Sequence, residues 1–135
     1  MSNGEIGCIL SHVSVWRYLV KEKNIDKIMV LEDDAVLISN DIYDRINDIW
    51  RNVPNDWDII LIGFWLHKGN NAKKINQYIY KVKDFVLLHS YIINKKGAEK
   101  LLSLLPVNMP LDSWIAFHSD KVNIYCHSFF RNNSN

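Results

Sequence analysis

Two cysteines in 135 residues, Cys8 and Cys126, are too few and too far apart for a disulfide framework, a zinc knuckle or a Cys-x-x-Cys redox pair. Both are expected to be buried free thiols, the usual setting for isolated cysteines. Glycine and proline are sparse, five and three residues, and no stretch reads as a low-complexity linker or an internal repeat. No apolar run approaches the ~20 residues needed to span a bilayer, and no N-terminal segment has the layout of a signal peptide. The chain as given is therefore expected to be soluble and cytoplasmic. Charge of one sign is also missing: the formal net charge is +1, with Lys and Arg interspersed among acids. Without a basic stripe to neutralise a phosphate backbone, nucleic acid is not an expected partner.

What is present is an apolar fraction of 48%, enough for one ordinary core and short for two domains. From Glu5 to about Val20, Ile6, Ile9, Leu10, Val13, Trp16 and Leu19 recur at helical spacing. Ile28 to Leu31 is a short continuous apolar run, suited to a strand buried on both faces. A helix is expected over Asp41 to Val53 and ends before Pro54-Asn55-Asp56; Trp57 to Gly63 then repeats the buried-strand pattern. This alternation predicts an α/β domain with a parallel sheet covered by helices. His67 to Gln77 reads as a mobile loop, Tyr78 to Asp84 and Val86 to Ile93 as strands, and Lys95 to Leu105 as a helix stopped by Pro106. A short helix at Ser113 to Phe117 and a strand at Val122 to His127 complete one domain over residues 1–130, leaving 131–135 as a frayed tail.

The strongest chemical signal is Leu31-Glu32-Asp33-Asp34, three acids closing a buried strand. They repel one another, and a bound divalent cation or a shared proton relieves that repulsion. In a strand Glu32 and Asp34 point to one side and Asp33 to the other, so the first and third acids can share a metal. Hard oxygen donors favour Mn or Mg; a solvated acidic strand end is the structural alternative. Lys95 and Lys96 follow the N-cap candidate Asn94, where the helix dipole disfavours cations; they are either solvated or anion-binding. Gly97-Ala98 suggests close packing of that helix on the sheet.

Four segments together resemble glycosyltransferase family 25, which includes lipooligosaccharide and collagen galactosyltransferases. They are Gly4-Glu5-x-Gly7-Cys8-x-x-Ser11-His12, Leu31-Glu32-Asp33-Asp34, Tyr91-Ile92-Ile93-x-Lys95-Lys96-Gly97-Ala98-Glu99-Lys100-Leu101-Leu102, and Pro110-Leu111-Asp112. The resemblance implies a Rossmann-like GT-A domain with a mixed, mostly parallel sheet. The activity it implies is inverting, metal-dependent transfer of galactose or glucose from a UDP-sugar to a glycan or protein hydroxyl. Relatives carry a strand-helix-strand unit before the first motif, so the domain is expected to be incomplete at its N-terminus, and an uncovered sheet edge would favour a homo-oligomer.

On this reading Glu5, Ser11, His12, Glu32, Asp33, Lys95 and Lys96 are donor-site candidates, and Glu32, Asp34 and His127 are metal-ligand candidates. Asp112 is the candidate base, because inversion needs a group to take the acceptor hydroxyl proton. Structural alternatives stand beside several of them. Ser2 and Glu5 form a capping-box pattern, His12 shares a mostly apolar stripe with Ile9 and Trp16, and Asp112 could cap the helix that follows it. Tyr91 could face the core or a sugar, and Trp114 could be buried or stack on a sugar. A non-catalytic binding or assembly module is the rival functional class; a metal-dependent phosphoesterase lacks a second acidic cluster.

Overall fold

The computed structural model describes residues 1–32, 42–66 and 72–128. Asp33, Asp34, residues 67–71 of the expected loop and the 131–135 tail lie outside the described residues. The element order is α1 (Asn3–Lys21), β1 (Lys27–Leu31), α2 (Ile42–Asn52), β2 (Ile59–Trp65), β3 (Ala72–Lys74), β4 (Ile79–Val82), β5 (Val86–Asn94), α3 (Lys95–Ser103), α4 (Leu111–Phe117) and β6 (Ile124–His127). The strands form one six-stranded sheet in the order β1-β5-β2-β6-β4-β3.

Side-chain alternation explains how this sheet is covered. Ile59 and Leu61 of β2, Tyr91 and Ile93 of β5, and Ile124 and Cys126 of β6 share one face with buried residues of α1, α3 and α4. The intervening Ile60, Ile62, Ile92 and Tyr125 turn to the other face, where Ile49 of α2 packs. The continuous apolar run of β2 thus reflects burial on both faces, as the sequence suggested; β1, expected to be buried likewise, is an edge strand, only half-buried at its centre and exposed at both ends.

Strand direction is where the expectation fails. Only β2 and β6 pair in parallel; β1 with β5, β2 with β5, β4 with β6 and β3 with β4 are all antiparallel. β1 and β2 run the same way, but β5 lies between them and reverses the local pairing. Burial on two faces sets the composition of a strand and not the direction of its neighbours. Part of the expected loop also differs, since Ala72–Lys74 forms edge strand β3 against β4. Lys73 and Lys74 are exposed there, the charge pattern that blunts a sheet edge.

α1 starts as its capping pattern requires, with Ser2 Oγ accepting the Glu5 N–H at 3.2 Å. α3 is capped by Asn94, whose Oδ1 accepts the Gly97 N–H at 2.8 Å. Gly97 is buried, and a Cβ there would stand 2.6 Å from the carbonyl oxygen of Asp58. Alanine at 97 would gain about 1 kcal/mol of helix propensity, but overpacking against main chain costs about 1–3 kcal/mol, and a backbone atom cannot swing aside. The clash prevails. Gly97→Ala is expected to lower the urea midpoint at unchanged m-value, with a net loss of up to about 2 kcal/mol by that difference; equal or greater stability would refute the close packing.

Candidate active site

The site is built where α1 crosses the carboxyl end of β1. Glu32 follows the last residue of β1, and its amide donates to the carbonyl of His89 on β5 at 3.0 Å, extending the ladder by one bond. Its carboxylate stays half-buried, with Oε1 4.0 Å from His12 Nε2 and Oε2 3.7 Å from His89 Nδ1. Cys8, Ser11 and His12 descend from α1, while Val30, Leu31 and Glu32 rise from β1. Together with Val15 they line a cavity of about 460 Å³. A second cavity of about 220 Å³ shares Cys8 and Glu32 with the first and adds Leu87, Leu88, His89, Leu111 and Asp112.

His12 is fixed by the core beneath it. Its Nδ1 is 2.6 Å from the Tyr91 hydroxyl, which also takes the Trp16 Nε1–H at 3.1 Å. The indole can only donate, so the phenol oxygen accepts from Trp16, and the phenol is also hydrogen-bonded to His12 Nδ1, in a sense set by the ring tautomer. The other ring nitrogen, Nε2, faces Glu32. Burial holds the His12 pKa below the ordinary histidine value, and burial likewise pushes the Tyr91 phenol far above its usual range. His12 is thus both a hydrogen-bonded core residue and a wall of the cleft.

Asp112 opens α4 and accepts two main-chain N–H groups, Leu87 on Oδ2 at 2.8 Å and Ser113 on Oδ1 at 2.7 Å. The N-cap of α4 is Pro110, with no side-chain cap hydrogen bond, so the expected helix cap is not formed; the Asp112 carboxylate lines the second cavity. Ser11 Oγ donates to the Gly7 carbonyl at 3.0 Å within its own helix, leaving its lone pairs for the cleft.

The structure separates other candidates from this cluster. Glu5 is exposed in the first turn of α1 and lines neither cavity. Asn94, just before Lys95 and Lys96, pairs with Lys27 at the start of β1, which puts the two lysines about 17 Å of strand away from Glu32. Lys95 Nζ donates to the Glu22 carbonyl at the C-cap of α1, a structural use, and Lys96 is exposed. His127 lies on β6, with β2 and β5 between it and β1; its Nε2 is 3.2 Å from Asp48 Oδ2 of α2. Tyr91 and Trp114 are both core residues, 1% exposed.

Two site residues went unrecognised in the sequence. Cys8 was expected to be buried, yet it is exposed: one turn before His12, it is carried onto the cleft rather than toward the sheet. Its thiol pKa is raised, chiefly by burial of the sulfur and then by Glu32 and Asp112. Spacing of four on a helix could have found it. His89 was not singled out; it is exposed on β5 beside Glu32.

A model of glycosyltransferase family 25, the family described as an LPS biosynthesis protein, matches residues 1–115. The chain belongs to glycosyltransferase family 25. It is 29% identical over 126 residues to procollagen galactosyltransferase 2 of Homo sapiens, covering 85% of this chain and 19% of that protein. It is 31% identical over 141 residues to a glycosyltransferase 25 family member of Anopheles gambiae, covering 90% and 23%. It is also 27% identical over 132 residues to a probable inactive glycosyltransferase 25 family member 3 of Bos taurus, covering 90% and 21%. The chain spans about a fifth of the length of these relatives. No helix among the described residues is long and apolar enough to cross a membrane.

The lowered pKa values give a pH signature for this family 25 domain. His12 and His127 both titrate below their unfolded value near 6.5, in each case chiefly through burial. Between the two values the unfolded chain binds more protons, so stability is complete above about pH 6.5 and falls as pH drops below it. NMR titration should show the His12 ring unprotonated at pH 6.5, and His12→Gln should flatten part of the decline. A ring already charged at pH 6.5 would contradict the burial argument.

Proposed function

We propose that this domain carries the donor site of a hexosyltransferase that moves galactose or glucose from a UDP-sugar to a hydroxyl. A lipooligosaccharide sugar or a collagen-like hydroxylysine would be the acceptor. The observation carrying this reading is that Glu32 and Asp112, 80 positions apart in the chain, line one cavity that adjoins a cleft large enough for a ligand.

The described side chains suit a divalent cation. Glu32 faces two imidazoles, one of them kept neutral by burial, and no Lys or Arg among the described residues forms an ion pair with it. Glu32, with Asp34 two positions on, would hold Mn or Mg as the hard oxygen donors. Such an ion supplies neutralisation of the charge that develops on a departing diphosphate. Ser11 and His12 would orient the donor along α1, with His12 Nε2 facing into the cleft. Asp112 would take the acceptor hydroxyl proton in an inverting displacement, using a carboxylate lone pair left after its two main-chain bonds. The walls from Leu87 to His89 and from α4 would keep water from the transfer.

A second reading, a non-catalytic binding or assembly module, draws support from the bovine relative named as probably inactive. Calorimetric titration of UDP separates the two. Binding that requires Mn and is lost in Glu32→Ala and Asp34→Ala supports the donor site; no binding by the folded chain with Mn present favours the module. If transfer is observed, Asp112→Asn, which keeps one acceptor oxygen, is expected to lower kcat about 10²- to 10⁴-fold while UDP affinity stays within about twofold. A kcat within threefold of wild type would remove Asp112 from the role of base.

A further inference from the structure

The donor reading uses Glu32 but leaves Cys8 without a task. We propose that Cys8, His12 and Glu32 form a binding site for a thiophilic divalent cation, zinc in the first instance, at the junction of the two cavities. One ligand atom from each, the Cys8 sulfur, a His12 nitrogen and a Glu32 oxygen, lie within 4.8 Å of one another. Cys8 and His12 stand four apart on α1, so one helix face presents both, and Glu32 reaches the same point from β1.

The geometry needs little change to hold an ion. Bond lengths of about 2.0–2.3 Å around tetrahedral zinc put neighbouring ligand atoms roughly 3.3–3.8 Å apart. Closing the remaining gap of about 1 Å asks only for rotation of exposed Cys8 and half-buried Glu32. His12 is prearranged, because the Tyr91 hydroxyl at Nδ1 leaves Nε2 facing the cleft, the arrangement that orients metal-binding imidazoles. With the ion on Nε2, the imidazole proton is on Nδ1. Tyr91 oxygen has two lone pairs and accepts it alongside Trp16. The thiol proton is released to solvent.

Sulfur and nitrogen donors separate this site from one built for Mn or Mg, since they select softer ions. Three protein ligands leave a fourth position open to water or to a ligand in the cleft. Glu32 belongs to both donor sets, so zinc here opposes manganese-dependent UDP binding. The site itself does not depend on the donor reading.

Cobalt reports on it without any nucleotide. Titration of the full chain with Co²⁺ should reach one equivalent with a thiolate-to-metal absorption band, displaced by one equivalent of Zn²⁺. Cys8→Ser should abolish the band and Cys126→Ala should keep it. Tyr91→Phe should keep it with affinity about 10- to 100-fold weaker, the usual cost of losing a group that supports a ligand. Circular dichroism confirms that each variant is folded. A folded wild-type chain without the band, or a band surviving Cys8→Ser, overturns the proposal. Failure of UDP to bind at all would count against the donor reading and leave the cobalt spectrum unaffected.

Discussion

The hydroxyl of Tyr91 sets where everything in the site lies. It is buried on β5, takes the indole N–H of Trp16 and is hydrogen-bonded to His12 Nδ1, so two successive turns of α1 are tied to one point on the sheet. Trp16 in turn stacks on Trp114 of α4, with ring centroids 6.1 Å apart and planes 12° from parallel. Three elements distant in sequence are therefore registered by one fully satisfied polar contact inside an apolar core. Such networks are costly when broken and specify one arrangement when complete. Because α1 cannot rotate without losing both bonds, Cys8 and Ser11, each within a turn of His12, are held over the end of β1.

Electrostatics at that end follow from which groups are absent. Lys95 and Lys96 sit beyond the start of β1, at the far edge, and Lys95 is engaged with the C-cap of α1. Among the described residues, Glu32 has the imidazoles of His12 and His89 beside it, and Cys8 lines both cavities with it. Burial lowers the His12 pKa, so at neutral pH the imidazole offers Glu32 no compensating charge. The thiol responds to the same field, its proton held more tightly in part because both carboxylates are near. If the cleft takes a cation as proposed, the choice between hard and soft ones depends on whether Cys8 takes part.

The elements themselves were legible because helical and strand periodicities are local. α1, β1, α2, β2, β5, α3, α4 and β6 fall within a few residues of their expected spans. Direction was not legible: β5 inserts between β1 and β2, and nothing in an apolar run encodes the sense of the strand beside it. Glu32 could be named from the run of acids that follows an apolar strand together with the family resemblance, and Asp112 from the Pro110-Leu111-Asp112 segment that carries that resemblance. The misplacement of Lys95 and Lys96 has a plain cause. A helix dipole argument sees only the helix, whereas the carbonyl of Glu22 that accepts Lys95 arrives from 73 positions away. Cys8 was missed because burial statistics for cysteine describe an average, and its own helical phase relative to His12 points it to the cleft.

Asp112 shows how one carboxylate can serve structure and still be free for chemistry. Leu87, whose amide it accepts, has φ of 54°, in the left-handed region that costs a non-glycine residue about 1–2 kcal/mol. A hydrogen bond to a charged carboxylate contributes about 1.5–3 kcal/mol, so the bond outweighs the strain. That turn directs Leu87 and Leu88 into the wall of the second cavity and delivers His89 to Glu32 two residues later. Two of the roughly four acceptor positions on the carboxylate are used in this way, and the others remain. The anchoring bonds also fix the direction in which those remaining lone pairs point. A group proposed to meet an incoming hydroxyl at one angle is better placed by two main-chain bonds than by none, so these bonds are compatible with the role of base proposed for Asp112.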